Sequence, residues 1–106
     1  GAFYDLMYAN SGNPYFNPNR QYAFLRKWKN EVLLVVVNFD RADQCVWVNI
    51  PVEAFKALDF EDNKPAELTD LLTGETTIST LTDDYPYQVK LPAYYCKMLK
   101  FSFLHK

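Results

Sequence analysis

The chain has 106 residues, the length of one ordinary domain, and 49% of them are hydrophobic, which is enough to build a packed core. The formal net charge of −2 argues against nucleic acid as the main partner, because phosphate binding depends on clustered positive charge. The longest apolar run, residues 32–37, is far shorter than the roughly 20 residues of a membrane-spanning helix, so we expect no membrane partner.

Strand signals recur at short intervals along the chain. Runs rich in β-branched and aromatic residues are separated by Asn, Asp, Gly and Pro, and no long helical segment lies between them. This pattern predicts one all-β domain, an antiparallel sandwich or barrel. The predicted strands are residues 3–8, 22–28, 32–39, 45–50, 66–72, 76–81, 87–91 and 94–103.

Residues 10–20 read as a loop, because Asn and Pro dominate them. Further along, Lys29 and Asn30 fall between two strong strands and predict a two-residue hairpin, with Asn30 taking the positive φ. Thr73–Gly74 predicts a second hairpin, and Leu91–Pro92 predicts a break before the last strand.

The central strand, VLLVVVNF (residues 32–39), is apolar on both faces. Val32, Leu34 and Val36 point one way, and Leu33, Val35, Val37 and Phe39 the other. One face can fill the space between two sheets, and the other needs a cover. That cover is either a missing partner surface or the chain's own N-terminal segment and short helix.

The short helix is predicted over residues 51–58. Pro51 suits its first position, and Ile50, Ala54, Phe55 and Leu58 form an apolar stripe at helical spacing. In the last strand the apolar phase shifts between residues 98 and 99, which predicts a bulge or burial on both faces.

The sequence contains few residues suited to catalysis or metal binding. The single histidine, His105, is next to last, and the acidic pairs Glu61–Asp62 and Asp83–Asp84 sit in turn-like segments. We therefore predict no catalytic, metal or cofactor site. A weaker alternative is calcium held by oxygen ligands, and the two groups that offer them are Asn38, Asp40 and Asp43, or Glu61, Asp62 and Asn63.

Two further features leave alternatives open. Cys45 and Cys96 lie in apolar runs, where free thiols are favoured over a disulfide, and they do not fix a cytoplasmic or periplasmic compartment. Basic residues around Trp28 (Arg26, Lys27 and Lys29) resemble a stacking platform for single-stranded nucleic acid, although a solvated strand end is the favoured interpretation.

Aromatic residues make up 17% of the chain. Exposed rings of this kind can stack on sugars in carbohydrate-binding sandwiches, but each is also a plausible core or interface residue. The candidates for sugar contact are Tyr15, Phe16, Trp28, Tyr85 and Tyr87.

Four segments, in order, give the chain a family resemblance. The run YAFLRKWKNEVLLVVVNF (residues 22–39) resembles the opening hairpin of the C-terminal β-domain of α-amylase-family glycoside hydrolases (family 13) of bacterial type. VNIP with the following helix, LTDLLTGE (68–75) and VKLPAYYCKMLKF (89–101) resemble the later pieces, and FYDLMYAN (3–10) is similar to the linker that leaves the catalytic barrel.

The resemblance implies an eight-stranded Greek-key β-sandwich over residues 1–106, with a linker-like start at 1–20, packed on a (β/α)₈ barrel of the same protein. The family's catalytic carboxylates sit on that barrel, so none is carried over. The first hypothesis is a non-catalytic domain that stabilises the barrel. The alternatives are a carbohydrate-binding module that contacts α-glucan and an unrelated adhesive sandwich.

Overall fold

The computed structural model describes residues 2–60, 64–84 and 86–103. These described residues form eight strands, one short α-helix and one 3₁₀ turn, which confirms the predicted all-β class. The elements are β1 (Ala2–Asp5), the 3₁₀ turn (Tyr8–Asn10), β2 (Gln21–Trp28), β3 (Glu31–Asn38), β4 (Gln44–Val48), α1 (Val52–Ala57), β5 (Lys64–Asp70), β6 (Thr76–Leu81), β7 (Tyr87–Leu91) and β8 (Cys96–Phe103). No helix in this described part is long and apolar enough to cross a membrane.

The strands form two antiparallel sheets. The larger sheet has the order β1-β2-β3-β8-β5-β6, and the smaller one pairs β4 with β7. The chain crosses to the smaller sheet for β4 and again for β7, and it returns to the larger sheet after each, where β8 lies between β3 and β5. Strand β8 returns beside β5 after β7 has paired with β4 in the other sheet, so β5 to β8 follow a Greek-key pattern that runs across both sheets.

The core lies between the inner faces of the two sheets. Val32, Leu34 and Val36 of β3 are fully buried there, together with Val46 and Val48 of β4. Strand alternation places these residues on the faces that meet, as predicted for one face of β3.

Helix α1 closes this inner core. Its predicted stripe is confirmed, because Ile50, Ala54, Phe55 and Leu58 are all at most 4% exposed and belong to the core cluster. Pro51 precedes the helix as its N-cap instead of opening it. Because the stripe packs into the inner core, the helix does not cover the outer face of β3.

The predicted turns are present, with one correction. Trp28 pairs with Glu31, which leaves a two-residue hairpin between β2 and β3. The expectation that Asn30 takes the positive φ is wrong, since Lys29 does so, at φ 55°. A positive φ at the first turn position is typical of a type II′ turn, whose twist matches that of the flanking strands. Gly74 supplies a positive φ in the β5–β6 connection.

The last strand contains no bulge against its neighbour in the sheet. Strand β8 pairs with β3 in an unbroken register from Ser102 to Cys96. Its phase shift instead reflects burial on both faces: Leu99 lies in the core, and Met98 is half-buried on the opposite face. Of the two predicted explanations, burial on both faces is the one observed.

The N-terminal segment is tied into the sandwich. Strand β1 pairs with β2 along its whole length, and Leu6 and Phe16 are buried in the core. The predicted loop at residues 10–20 is present, beginning at the end of the 3₁₀ turn.

Candidate interaction surfaces

The outer face of the six-stranded sheet is apolar at its centre. Leu33, Val35 and Val37 point outward from β3, opposite the core residues of that strand. Val35 pairs with Phe24 on one side and Met98 on the other, and it is only 7% exposed. The strand is therefore apolar on both faces, as predicted, and at its centre the side chains of the two flanking strands cover most of its outer face.

Large apolar side chains are also exposed toward the edges of the sheet. Phe3 contacts Phe24, with ring centroids 5.2 Å apart, whereas Glu67 and Ser102 separate Ile78 from the apolar centre. Phe3 is 53% exposed on β1, Trp28 62% at the end of β2, and Ile78 60% on β6. We call the whole surface the outer apolar face. Its residues are Phe3, Tyr22, Phe24, Trp28, Leu33, Val35, Val37, Leu71, Ile78 and Met98.

A groove of about 350 Å³ lies on this face beside Trp28. Leu33 and Leu71 line it together with Trp28, and charged residues form part of its wall. Lys100 Nζ lies 3.5 Å from Glu31 Oε2, and Lys29 Nζ lies 5.7 Å from the centroid of the Trp28 ring. The groove is thus lined by the apolar side chains of Trp28, Leu33 and Leu71 and by charged side chains next to them.

A second aromatic surface lies on the two-stranded sheet. Val46 and Val48 face the core, so Trp47 between them points to the outer face. There its ring stacks on Tyr15, with centroids 4.3 Å apart and planes at 28°. Gln88 is the direct cross-strand neighbour of Trp47.

Asn13 fixes this aromatic pair. Its side-chain oxygen accepts a hydrogen bond from the Tyr15 backbone N–H at 2.9 Å, and its Nδ2 donates to the Trp47 carbonyl at 2.6 Å. The Trp47 N–H in turn donates to the Tyr15 carbonyl at 3.0 Å. The loop is therefore held against β4 by backbone contacts as well as by the rings.

The predicted sugar-contact residues do not form one site. Tyr15 is exposed beside β4, whereas Trp28 is exposed on the other sheet. Phe16 is 2% exposed and offers no ring face to a ligand. Tyr85 lies outside the described residues.

Tyr87, also predicted as a sugar contact, is half-buried. Its ring meets Phe101 edge-on, with centroids 5.6 Å apart, and its hydroxyl lies 3.1 Å from Ser79 Oγ. Burial raises the pKa of Tyr87, while the hydrogen bond with Ser79 acts in the opposite direction. The residue thus packs against the core edge and joins the two sheets.

Sequence reasoning missed Trp47 as a surface residue. The signal was available, because alternation with Val46 and Val48 places it on the opposite face. What the pattern did not contain is the loop that brings Tyr15 onto it.

The proposed oxygen ligands serve as local hydrogen-bond acceptors. Asp40 Oδ1 accepts from the Ala42 N–H at 3.1 Å, and Asp43 Oδ1 accepts from the Ala93 N–H at 2.9 Å. No cluster of three or more His, Cys, Asp or Glu suited to a metal occurs in residues 2–60, 64–84 and 86–103. The remaining candidates, Glu61, Asp62, Asn63 and His105, lie outside those ranges.

The cysteines do not form a disulfide. Cys45 is an exposed free thiol on the outer face of the two-stranded sheet, and Cys96 is a half-buried free thiol on β8. The favoured prediction of free thiols is confirmed.

The chain is similar to a known family of protein domains. The family described as the maltogenic amylase C-terminal domain matches residues 15–98. No curated protein matches the chain by sequence.

Solved structures share the fold at low sequence identity. A Bacillus halodurans protein designated an α-N-acetylgalactosaminidase aligns with a TM-score of 0.60 and 12% identity, over 85% of this chain and 20% of its own. A family 27 β-L-arabinopyranosidase of Geobacillus stearothermophilus, in complex with arabinose, aligns with a TM-score of 0.55 and 12% identity, over 86% of this chain and 19% of its own. A variant of AmyP, in complex with maltotriose, aligns with a TM-score of 0.53 and 17% identity, over 84% of this chain and 15% of its own. The chain thus spans a fifth or less of the length of these proteins.

Proposed function

Because this chain belongs to the family of maltogenic amylase C-terminal domains, we propose that it is a non-catalytic accessory domain of a larger α-amylase-like glycoside hydrolase. In this proposal the domain packs against the catalytic (β/α)₈ barrel and stabilises it. The observation that carries the proposal is the outer apolar face.

The size of this face supports an interface with other polypeptide. Contiguous exposed apolar patches are uncommon on monomeric proteins and typically mark interaction sites. Burying a large apolar side chain contributes about 1.5–3 kcal/mol, and Phe3, Trp28 and Ile78 each keep more than half of their surface for a partner. This chain aligns with a fifth or less of the length of the similar solved structures, which supports a parent protein whose remaining part supplies the partner surface.

The charged groups also fit an interface. Arg26, Glu31 and Lys100 stand around the groove beside Trp28, so that polar groups flank an apolar centre. This arrangement, with an apolar core and a charged rim, is typical of protein interfaces.

The test is to replace Ile78 by Lys in the parent enzyme. Ile78 is 60% exposed in this domain, so Ile78→Lys should change the stability of the isolated 106-residue chain by less than about 0.5 kcal/mol. In the parent enzyme it should lower the stability by about 2 kcal/mol or more, because apolar burial is lost and a charge enters a dry interface. Thermal unfolding of both proteins is the measurement.

Tyr8→Ser is the matched control. Tyr8 is 94% exposed but lies in the 3₁₀ turn and not on the sheet, so this variant should leave both proteins unchanged. If Ile78→Lys leaves the parent enzyme as stable as Tyr8→Ser does, the domain does not dock through this face.

A further inference from the structure

We propose that the outer face of the two-stranded sheet is a carbohydrate-binding site for α-linked glucan. The stacked rings of Tyr15 and Trp47 form its platform, and Gln88 and Lys90 supply hydrogen bonds to hydroxyl groups. This site is separate from the outer apolar face, and its function would be added to that of docking on the barrel.

The platform suits the shape of a sugar. A pyranose ring has a face of C–H groups that packs on an aromatic ring and an edge of hydroxyls that needs polar partners. Tyr15 is 53% exposed and rests on the half-buried Trp47, so the stack supports the Tyr15 ring while leaving much of it open to a ligand.

Polar side chains lie next to the aromatic pair, where the hydroxyl-bearing edge of a bound sugar would need hydrogen-bond partners. Gln88 is paired with Trp47, and Lys90 is paired with Cys45, the next outward-facing position of β4. Both side chains are exposed, and neither forms a hydrogen bond or ion pair with another described residue. The Gln88 amide directly beside Trp47, and the Lys90 ammonium group one outward position further along β7, therefore remain available to a ligand.

The platform is formed before a ligand arrives. Asn13 holds the Tyr15 backbone and the Trp47 carbonyl at the same time, at 2.9 and 2.6 Å. Ordering a loop on binding costs free energy, so a loop that is already fixed favours binding. The cross-strand hydrogen bonds of β4 and β7 hold the polar side in the same way.

The site also remains accessible in the proposed assembly. The inner faces of the two sheets meet in the core, so the Tyr15–Trp47 surface and the outer apolar face point in opposite directions. Docking on the barrel would leave this surface in water. The choice of α-glucan among carbohydrates rests on the family to which the chain belongs.

The experiment is a titration of the 106-residue chain with maltohexaose, followed by the two tryptophan indole N–H resonances in NMR spectra. We expect the Trp47 resonance to shift and saturate in the millimolar range while that of Trp28 stays unchanged. Tyr15→Ala should weaken binding by about tenfold, the effect of losing roughly 1.4 kcal/mol. Trp28→Ala is the matched control and should bind as the unmodified chain does.

Gln88→Ala and Lys90→Ala give a second test, since both residues are exposed and their loss should not affect folding. The double variant Gln88→Ala/Lys90→Ala should bind maltohexaose less tightly than the unmodified chain does. Cellohexaose, whose glucose units are β-linked, should bind the unmodified chain less tightly than maltohexaose does. An unmoved Trp47 resonance, or equal binding by Tyr15→Ala, would overturn the site, and equal binding of cellohexaose would overturn the choice of α-glucan. The titration needs no barrel, so its failure and a failure of docking are distinguishable.

Discussion

Two buried asparagines organise the loops of the domain. Asn10 is fully buried, where its Nδ2 donates to the carbonyls of Leu6 and Asn49 and its Oδ1 accepts from the Asn49 N–H at 2.6 Å. Asn38 is also fully buried and lies within hydrogen-bonding distance of carbonyls on two loops. Buried polar groups of this kind stabilise a fold only when they are paired, and these two are.

Replacing Asn38 by Asp tests this role. The Asn38 Nδ2 lies 3.2 Å from the carbonyls of Ala42 and Pro92, and a carboxylate there would face those oxygens without a proton to donate. We expect Asn38→Asp to lower the free energy of unfolding by about 3 kcal/mol or more at neutral pH, measured by urea denaturation.

The stability loss of Asn38→Asp should also depend on pH. Burial against carbonyls raises the pKa of an introduced Asp above its unfolded value, so the folded state favours the protonated form. The deficit of Asn38→Asp relative to the unmodified chain should therefore shrink as the pH falls and grow as it rises. Asn19→Asp, in an exposed loop, is the control, and an equal loss in both variants would contradict the role given to Asn38.

Residue-level expectations failed where tertiary contacts decide. Asn38 was considered as a calcium ligand because composition does not show that an amide is buried against carbonyls. Phe16 was considered as an exposed ring because it lies in an Asn- and Pro-rich loop, yet it is 2% exposed. The positive φ falls on Lys29 because the turn type is set by the twist of the paired strands and not by residue preference alone.

At the scale of elements, periodicity was the reliable signal. Alternation along β3 correctly separated the core residues from Leu33, Val35 and Val37. Helical spacing correctly identified the stripe of α1. Both succeed because burial is a property of one face of an element, which local sequence records. The position of β8 between β3 and β5 is a long-range pairing that no local pattern contains.

Phe55 tests whether α1 is an integral part of the core. It is 4% exposed and lies 4.5 Å from Phe60, measured between ring centroids. Phe55→Ala should cost about 3–5 kcal/mol, because apolar contacts are lost and a cavity remains. Lys56→Ala, next to it on the exposed side, should cost less than about 0.5 kcal/mol. Urea denaturation of both variants is the measurement, and similar losses would show that the helix is only a surface cover.

For the whole molecule, the two sheets have different outer surfaces. The larger sheet presents a broad apolar area, and the smaller one presents one aromatic pair among polar side chains. Packed sheets lie about 10 Å apart, so residues on their two outer faces are well separated. The proposed barrel contact and the proposed glucan site therefore lie on opposite faces of the domain.

This separation predicts independent effects in the parent enzyme. Ile78→Lys should lower stability without changing the affinity of the Tyr15–Trp47 site for maltohexaose. Tyr15→Ala should lower affinity, and its stability loss should be limited to that of the ring stack, about 0.5–1.5 kcal/mol, and be the same in the parent enzyme and the isolated chain. Substitutions more than about 7–10 Å apart and without shared partners are usually additive, so the double variant should show both losses at the sizes of the single variants. Thermal unfolding and calorimetric titration of the four proteins measure the two quantities. A stability loss in Tyr15→Ala that appears in the parent enzyme but not in the isolated 106-residue chain would instead place the barrel against the smaller sheet, because only an interface residue would lose contacts in the parent enzyme alone.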